Sequence, residues 1–216
     1  MVFEAKNISF NINNVEILND ISFNIQSNQL TSIMGPNGSG KSSILKLIIG
    51  EIQPTHGTIN PIPYDQITYL PQTMVDPPFV SVLEIIIMGM KLRKISKTKK
   101  LKIAYEISKE CGIESLLNRN FDSLSGGEKQ RAWLSFCLAQ NKEIILLDEP
   151  LSSIDHNSRE EFYKTLHEIS KKSKTLIIVT HDNELSVKHS DQIIYINDGE
   201  IKFAGLSSDF ISNSME

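Results

Sequence analysis

Leu30-Thr-Ser-Ile-Met34, then Gly35-Pro36-Asn37-Gly38-Ser39-Gly40-Lys41-Ser42, then Ser43-Ile-Leu-Lys-Leu-Ile-Ile49 closed by Gly50, is the stretch on which the fold turns. The run before Gly35 reads as a short buried strand. Ile44, Leu45, Ile48 and Ile49 recur at helical spacing, so the stretch is a strand, a loop and a helix in series. The loop fits G-x-x-x-x-G-K-[ST] in the context that motif needs. Its glycines let backbone N–H groups turn inward around a β-phosphate, and the following helix directs its positive N-terminus at the same place. Lys41 adds a charge for the β- and γ-phosphates, and Ser42 can ligate Mg²⁺. A chance glycine-rich turn would require neither the strand before it nor the helix after it.

Upstream, Val2–Phe10 and Ile17–Ile25 mix alternation with β-branched residues and read as strands. Downstream come short strands at Gly57–Asn60 and Ile67–Leu70, then Pro71, Pro77 and Pro78, then helical periodicity from Val82 to Arg119. The order then returns to α/β. A helix over Gly126–Gln140, a strand over Ile144–Leu147 and a helix over Ser158–Ser170 lead to strands at Leu176–Val179, Gln192–Ile196 and Glu200–Phe203. The expected fold class is α/β in one domain over residues 1–216. Residues 1–72 and 131–216 form its β and α/β core, and residues 73–130 form an inserted helical subdomain.

Hydrophobic residues make up 40% and charged residues 22%, the balance of a folded globular chain. A net charge of -4 leaves no excess of cations to neutralise phosphates, so nucleic acid is not an expected partner. Cys111 and Cys137 lack ligand or CxxC spacing and read as reduced thiols in a core; His56, His156, His167 and His189 share no ligand spacing and read as surface residues. The opening MVFEAKNISF has neither the basic nor the apolar region of a secretory signal, so a cytosolic protein is expected. The apolar stretch Phe79–Met90 is interrupted by Glu84 and falls short of the roughly 20 residues that cross a bilayer, so membrane association is expected only through a partner. Seven Lys or Arg fall among the twelve residues Lys91–Lys102; such a run is either a solvated face or a contact for anionic lipid headgroups.

A second chemical signal is Ile144-Ile-Leu-Leu147 ending in Asp148-Glu149. Two carboxylates then emerge at the C-terminal end of a parallel strand, where open α/β sheets bind ligands. Asp148 suits water-mediated binding of Mg²⁺. Glu149, beyond the metal, is placed to orient and deprotonate the water that attacks a γ-phosphate.

Leu124-Ser125-Gly126-Gly127-Glu128-Lys129-Gln130-Arg131 resembles the LSGGQ signature of the ABC ATPases, with Glu128 where that family more often has Gln. The resemblance covers essentially the whole chain: Gln72 is similar to the Q-loop, Leu151–Asp155 to the D-loop and His181 to the H-loop. It implies the ABC ATPase fold, with a RecA-like phosphate-loop core, an N-terminal antiparallel β subdomain and the inserted helical subdomain. It also implies a pair of chains binding ATP and Mg²⁺. Catalysis would rest on Glu149, His181 and Gln72, with Mg²⁺ held by Ser42, Gln72 and Asp148. Nucleotide would meet Gly35 through Ser43 of the loop, and Ser125, Gly126, Gly127, Glu128 and Asp155 from the opposite subunit. Where the family places an aromatic ring against adenine, this chain has Ile12, with Phe10 two residues earlier as the alternative.

Members that maintain chromosomes carry long coiled-coil insertions between phosphate loop and signature, and ribosome-associated members carry two such domains. Here one compact segment separates Lys41 from Ser125, and the motifs occur once. A GTPase is disfavoured because Asn141-Lys142 is not followed by the Asp that reads guanine. The best reading is a transporter subunit that docks on membrane permeases. A soluble ABC ATPase acting on a macromolecule, an exporter, and an amino-acid or lipoprotein-type system are the alternatives. Tyr69-Leu-Pro-Gln72, Pro77 through Gly89 and Arg131 through Gln140 are similar to the ATPases of zinc, manganese and iron-chelate importers. No regulatory tail domain is expected after the Asp198-Gly199 turn.

Overall fold

The computed structural model describes residues 1–60, 62–151 and 154–213. Two sheets carry the chain. Strands β1 (Phe3–Ile12), β2 (Val15–Ile25) and β4 (His56–Asn60) form a three-stranded antiparallel sheet in the order β2-β1-β4. A six-stranded sheet has the order β5-β6-β7-β3-β8-β9, from β3 (Leu30–Met34), β5 (Ile67–Leu70), β6 (Ile144–Asp148), β7 (Thr175–Thr180), β8 (Gln192–Asn197) and β9 (Glu200–Leu206). All its pairings are parallel except the β8–β9 hairpin. Every residue of β3 and of β7 is buried, as in parallel strands covered on both faces; β7 is apolar from Leu176 to Val179, and in β3 the buried Thr31 and Ser32 hydrogen-bond to Gln192 and Ser190.

Helix α1 (Lys41–Ile48) follows β3 and buries Ile44, Leu45, Leu47 and Ile48 against the strands of both sheets. The periodicity over Val82–Arg119 resolves into α2 (Val82–Gly89) and α3 (Lys97–Glu110), with short 3₁₀ turns after them. Ser81 and Ser96 start the two helices by accepting hydrogen bonds from Glu84 N and Lys99 N. Both helices pack on α4 (Gly126–Ala139), whose Trp133 lies edge-on to Phe121, with ring centroids 5.2 Å apart. Val82, Ile85, Ile86 and Met90 vanish into that core, each side chain contributing about 1.5–3 kcal/mol of burial.

Helix α5 (His156–Lys171) begins at Asp155, which accepts from Ser158 N, and α6 (Asn183–His189) and α7 (Ser207–Asn213) are the last helices among the described residues. Cys111 and Cys137 are free and buried, and burial pushes each thiol up to about 12. The surface reading holds for His56 and His156 but not for His189 or the half-buried His167. The His189 side chain is 12% exposed and its ring stacks on Tyr163 with centroids 6.0 Å apart, so burial lowers its pKa. It ends a helix whose apolar face is too short to be read from spacing. No helix among the described residues is long and apolar enough to cross a membrane.

Candidate functional site

Three strand ends of the parallel sheet converge. The C-termini of β3, β6 and β7 deliver the Gly35–Lys41 loop, Asp148-Glu149 and His181 to the rim of one cavity of about 800 Å³. Its walls are Asn37, Gly38, Gly40, Lys41, Ser42 and Ser43 from the loop and α1, with Asp148, Glu149 and His181 opposite. Gln72, two residues past the end of β5, and Ile17 of β2 close it.

The loop is glycine-dependent for measurable reasons. Gly35 has φ +153, and a Cβ there would stand 2.0 Å from the Ile196 carbonyl oxygen. At Gly40, φ +109, a Cβ would stand 2.7 Å from the Leu18 side chain. Lys41 Nζ donates to the carbonyls of Gly35 and Pro36, both at 2.8 Å, which folds the ammonium over the loop. Burial lowers its pKa, and Glu149 and Asp148 act in the opposite direction. Ser39 Oγ is buried with no hydrogen-bond partner among the described residues. A cradle with an orphaned hydroxyl and an ammonium satisfied only by carbonyls fits an incoming phosphate oxygen.

Asp148 is half-buried at the end of β6. Burial raises its pKa, and a hydrogen bond from Tyr69 Oη to Asp148 Oδ2, 3.2 Å, opposes the rise. Tyr69 in turn is pushed up to about 12 by burial and by the Asp148 charge, so it stays a donor. Ser42, Gln72 and Asp148 offer hydroxyl, amide and carboxylate oxygens on one cavity, a donor set that fits Mg²⁺ alongside phosphates.

Glu149 adopts φ +44, a left-handed backbone that costs a non-glycine residue about 1–2 kcal/mol. Its N–H donates to the Val179 carbonyl at 2.8 Å, and its carboxylate lies 2.8 Å from His181 Nδ1. The strained turn aims the side chain into the cavity instead of along the strand.

The signature residues do not line this cavity. Ser125 and Gly126 are exposed, and Ser125 caps α4 in a reciprocal box: Glu128 N donates to Ser125 Oγ while Ser125 N donates to Glu128 Oε2 at 2.7 Å. Asp155 is exposed as the α5 cap; Ser152 and Ser153, in the segment resembling the D-loop, lie outside the described residues. Ile12 is not part of the wall. It pairs with Val15 at the exposed tip of the β1–β2 hairpin, while Phe10 packs against the core. Sequence reasoning missed Ile17 and Tyr69. Ile17 lines the cavity from the start of β2, just after the hairpin turn, and Tyr69 meets Asp148 only through the β5–β6 pairing.

Residues 18–152 match the profile of the ABC transporter family. The chain belongs to that family. It is 33% identical over 218 residues to the "Probable iron chelatin transport ATP-binding protein" of Helicobacter pylori, covering 93% of this chain and 86% of the relative. The Zinc import ATP-binding protein ZnuC of Rickettsia conorii is 32% identical, with 99% and 90% covered. The Spermidine/putrescine import ATP-binding protein PotA of Clostridium novyi is 33% identical over 96% of this chain and 63% of its own length. Among solved structures, cbiO1 of Clostridium perfringens, part of the ABC transporter complex cbiONQ, superposes with a TM-score of 0.90 at 25% identity, covering 99% of this chain and 91% of that one. The two sheets and packed helices are thus the ABC ATPase fold, in a family that binds and hydrolyses ATP.

Proposed function

We propose that this chain is the ATP-hydrolysing subunit of an ABC importer, working as a pair and energising uptake of a metal ion, zinc or manganese, or of an iron chelate. The observation that carries the ATPase reading is the meeting of loop, Gln72, Asp148-Glu149 and His181 on one cavity. Lys41 and the loop N–H groups hold the β- and γ-phosphates. Ser42, Gln72 and Asp148 would hold Mg²⁺, which when bound would supply neutralising charge for the phosphates. Glu149 accepts a proton from the attacking water, and His181, fixed against Glu149, donates toward the γ-phosphate.

Ser125 through Glu128 lie outside the cavity of their own chain, so we assign them to the ATP of a second subunit, with Asp155 on the same interface. Residues 73–130 act as the helical subdomain. We assign a groove of about 590 Å³, between Met88–Arg93 and Phe136–Lys142, to a helix of a permease, with the chain on the inner face of a membrane. Of the apolar Pro77–Met90 stretch only Met88 and Gly89 reach this groove, because Val82, Ile85, Ile86 and Met90 are spent on the core.

Metal or chelate uptake is supported by the Pro77–Gly89 and Arg131–Gln140 resemblances and by two relatives, one named for iron chelatin transport and one for zinc import. The polyamine-import relative at similar identity favours a second reading, polyamine uptake. The test is purification from native membranes followed by vesicle reconstitution with any polytopic protein that accompanies the chain. ATPase stimulation by zinc, manganese or an iron chelate supports the first reading. Stimulation by spermidine alone moves the assignment to the second, and absence of a polytopic partner returns the chain to the ATPases that act on macromolecules.

A further inference from the structure

The seven cations of Lys91–Lys102 are not absorbed by the nucleotide site. The other 204 residues hold 15 cations against 26 acids, a net of −11, so this one segment carries a charge opposite to that of the rest of the molecule. Of those 15, ten are in ion pairs. None of the seven pairs with any described acid, and only Arg93 is tied down, through Ala139 O at 3.1 Å.

Nor does the local fold account for them. The helices α2 and α4 begin with an acid at the third position, Glu84 and Glu128, locked into capping boxes. Helix α3 has no acid in its first turn and places Lys97, Lys99 and Lys100 there. Cations at a helix N-terminus oppose the macrodipole, so these lysines weaken the helix they begin. Further along, Leu101, Lys102 and Tyr105 are all exposed on the outward face, the leucine at 39% and the tyrosine at 56%, with Glu106 at its margin. Ala104, Ile107 and Ser108 take the inward face.

We infer that the outward face of α3, with the loop before it, binds an anionic phospholipid surface directly. Unpaired cations flanking an exposed leucine and tyrosine suit a headgroup layer, where charge meets phosphate and an amphipathic ring sits at the interface. The chain's overall negative charge holds it off other polyanions and leaves this face as the attractive one. The face adjoins the groove at Lys91–Arg93, so lipid contact and permease docking share one side of the molecule. Membrane contact is then not confined to the permease.

The full chain is sedimented with vesicles of phosphatidylcholine, and with vesicles of phosphatidylcholine mixed with phosphatidylglycerol, at low and high salt. Binding is expected only to the mixed vesicles and only at low salt. Losing three cations at about 5-fold each, a Lys97→Gln/Lys99→Gln/Lys102→Gln variant should bind about 100-fold more weakly. Its melting temperature should equal or exceed the parent's, because first-turn lysines oppose the dipole. Tyr105→Ser should weaken vesicle binding several-fold with its phosphate release unchanged. Failure to bind mixed vesicles, equal binding to neutral ones, or parental binding by the triple variant overturns the inference. So does displacement by soluble polyglutamate with no effect of Tyr105→Ser, which would make the face a site for an acidic polypeptide. The vesicles contain no permease, so any of these failures leaves the importer reading standing.

Discussion

Replacing Glu149 by Gln separates two costs that differ in size. The amide keeps the shape of the carboxylate and can keep the 2.8 Å contact to His181, and the backbone stays anchored to Val179 O. What is lost structurally is the charge assistance of a pair whose histidine is 54% exposed, about 0–1 kcal/mol, or at most about 2–4 °C in melting temperature for a chain of this size. What is lost chemically, in the proposed mechanism, is the base. Positioned general bases contribute about 10²–10⁴-fold, equivalent to about 2.7–5.5 kcal/mol of barrier. The chemical loss therefore exceeds the structural one several-fold. Phosphate release should fall by at least about 100-fold while ATP binding persists, and an ATP-stabilised dimer should accumulate in size-exclusion chromatography with MgATP. A variant that turns over at more than about a tenth of the parental rate would remove Glu149 from proton transfer.

Lys41→Ala removes the ammonium aimed at the phosphates and should weaken a fluorescent ATP analogue by about 10-fold or more; unchanged affinity would mean that the loop does not hold phosphate. Asp148→Asn should raise the melting temperature at pH 7 while abolishing turnover. Its sign follows from the raised pKa: the native state binds that proton more tightly than the unfolded chain, so the ionised carboxylate costs stability, and the gain should shrink as pH falls below the raised value. Ile12→Tyr should tighten ATP about 5-fold if the hairpin tip reaches the base, read against GTP and against a folded Phe10→Leu; loss of ATP affinity in Phe10→Leu alone would shift the contact to Phe10.

The parts of the site that the sequence announces are those set by local spacing. Gly35–Ser42 and Asp148-Glu149 each follow a short run that reads as a buried strand ending at a turn, and strand ends in a parallel sheet share an edge, so two local readings yield one cavity. Tyr69 and Asp148 are 79 residues apart and meet through the β5–β6 register, where Tyr69 pairs with Leu146; no spacing along the chain encodes that. Helix α6 escaped notice because seven residues give two turns, too few for periodicity to stand out, although Asp182 caps it in the usual way by accepting from Leu185 N. Ile12 ends a strand whose hairpin pairing slips three times between Ala5 and Asn11, and a one-residue slip exchanges the faces of a strand, so position along the chain does not fix which side chain meets the base.

Glu128 sets one further test, because its charge acts in two opposed directions. In the capping box its carboxylate accepts from Ser125 N, and that hydrogen bond holds its pKa below the ordinary value, with burial opposing and Arg119 assisting. A carboxylate at a helix N-terminus is worth about 0.3–1 kcal/mol, and glutamine can still close the box, so Glu128→Gln should lower the melting temperature by no more than about 2–4 °C at neutral pH. A depressed pKa means that the stabilisation is present above the unfolded value and disappears as pH falls through the folded one, so parent and variant should converge in acid. Toward the γ-phosphate of a second subunit the same charge repels, only partly offset by Arg119 at 3.7 Å. The variant should therefore fold slightly less stably yet form the MgATP-bound dimer more readily, by about 2–5-fold if the repulsion amounts to about 0.5–1 kcal/mol across a partly exposed interface. Sedimentation equilibrium of Glu149→Gln and of the Glu128→Gln/Glu149→Gln double variant, both with MgATP, isolates that term from hydrolysis. A weaker dimer in the double variant would mean that Glu128 serves the interface only through the cap, and that the signature helix does not present it to phosphate.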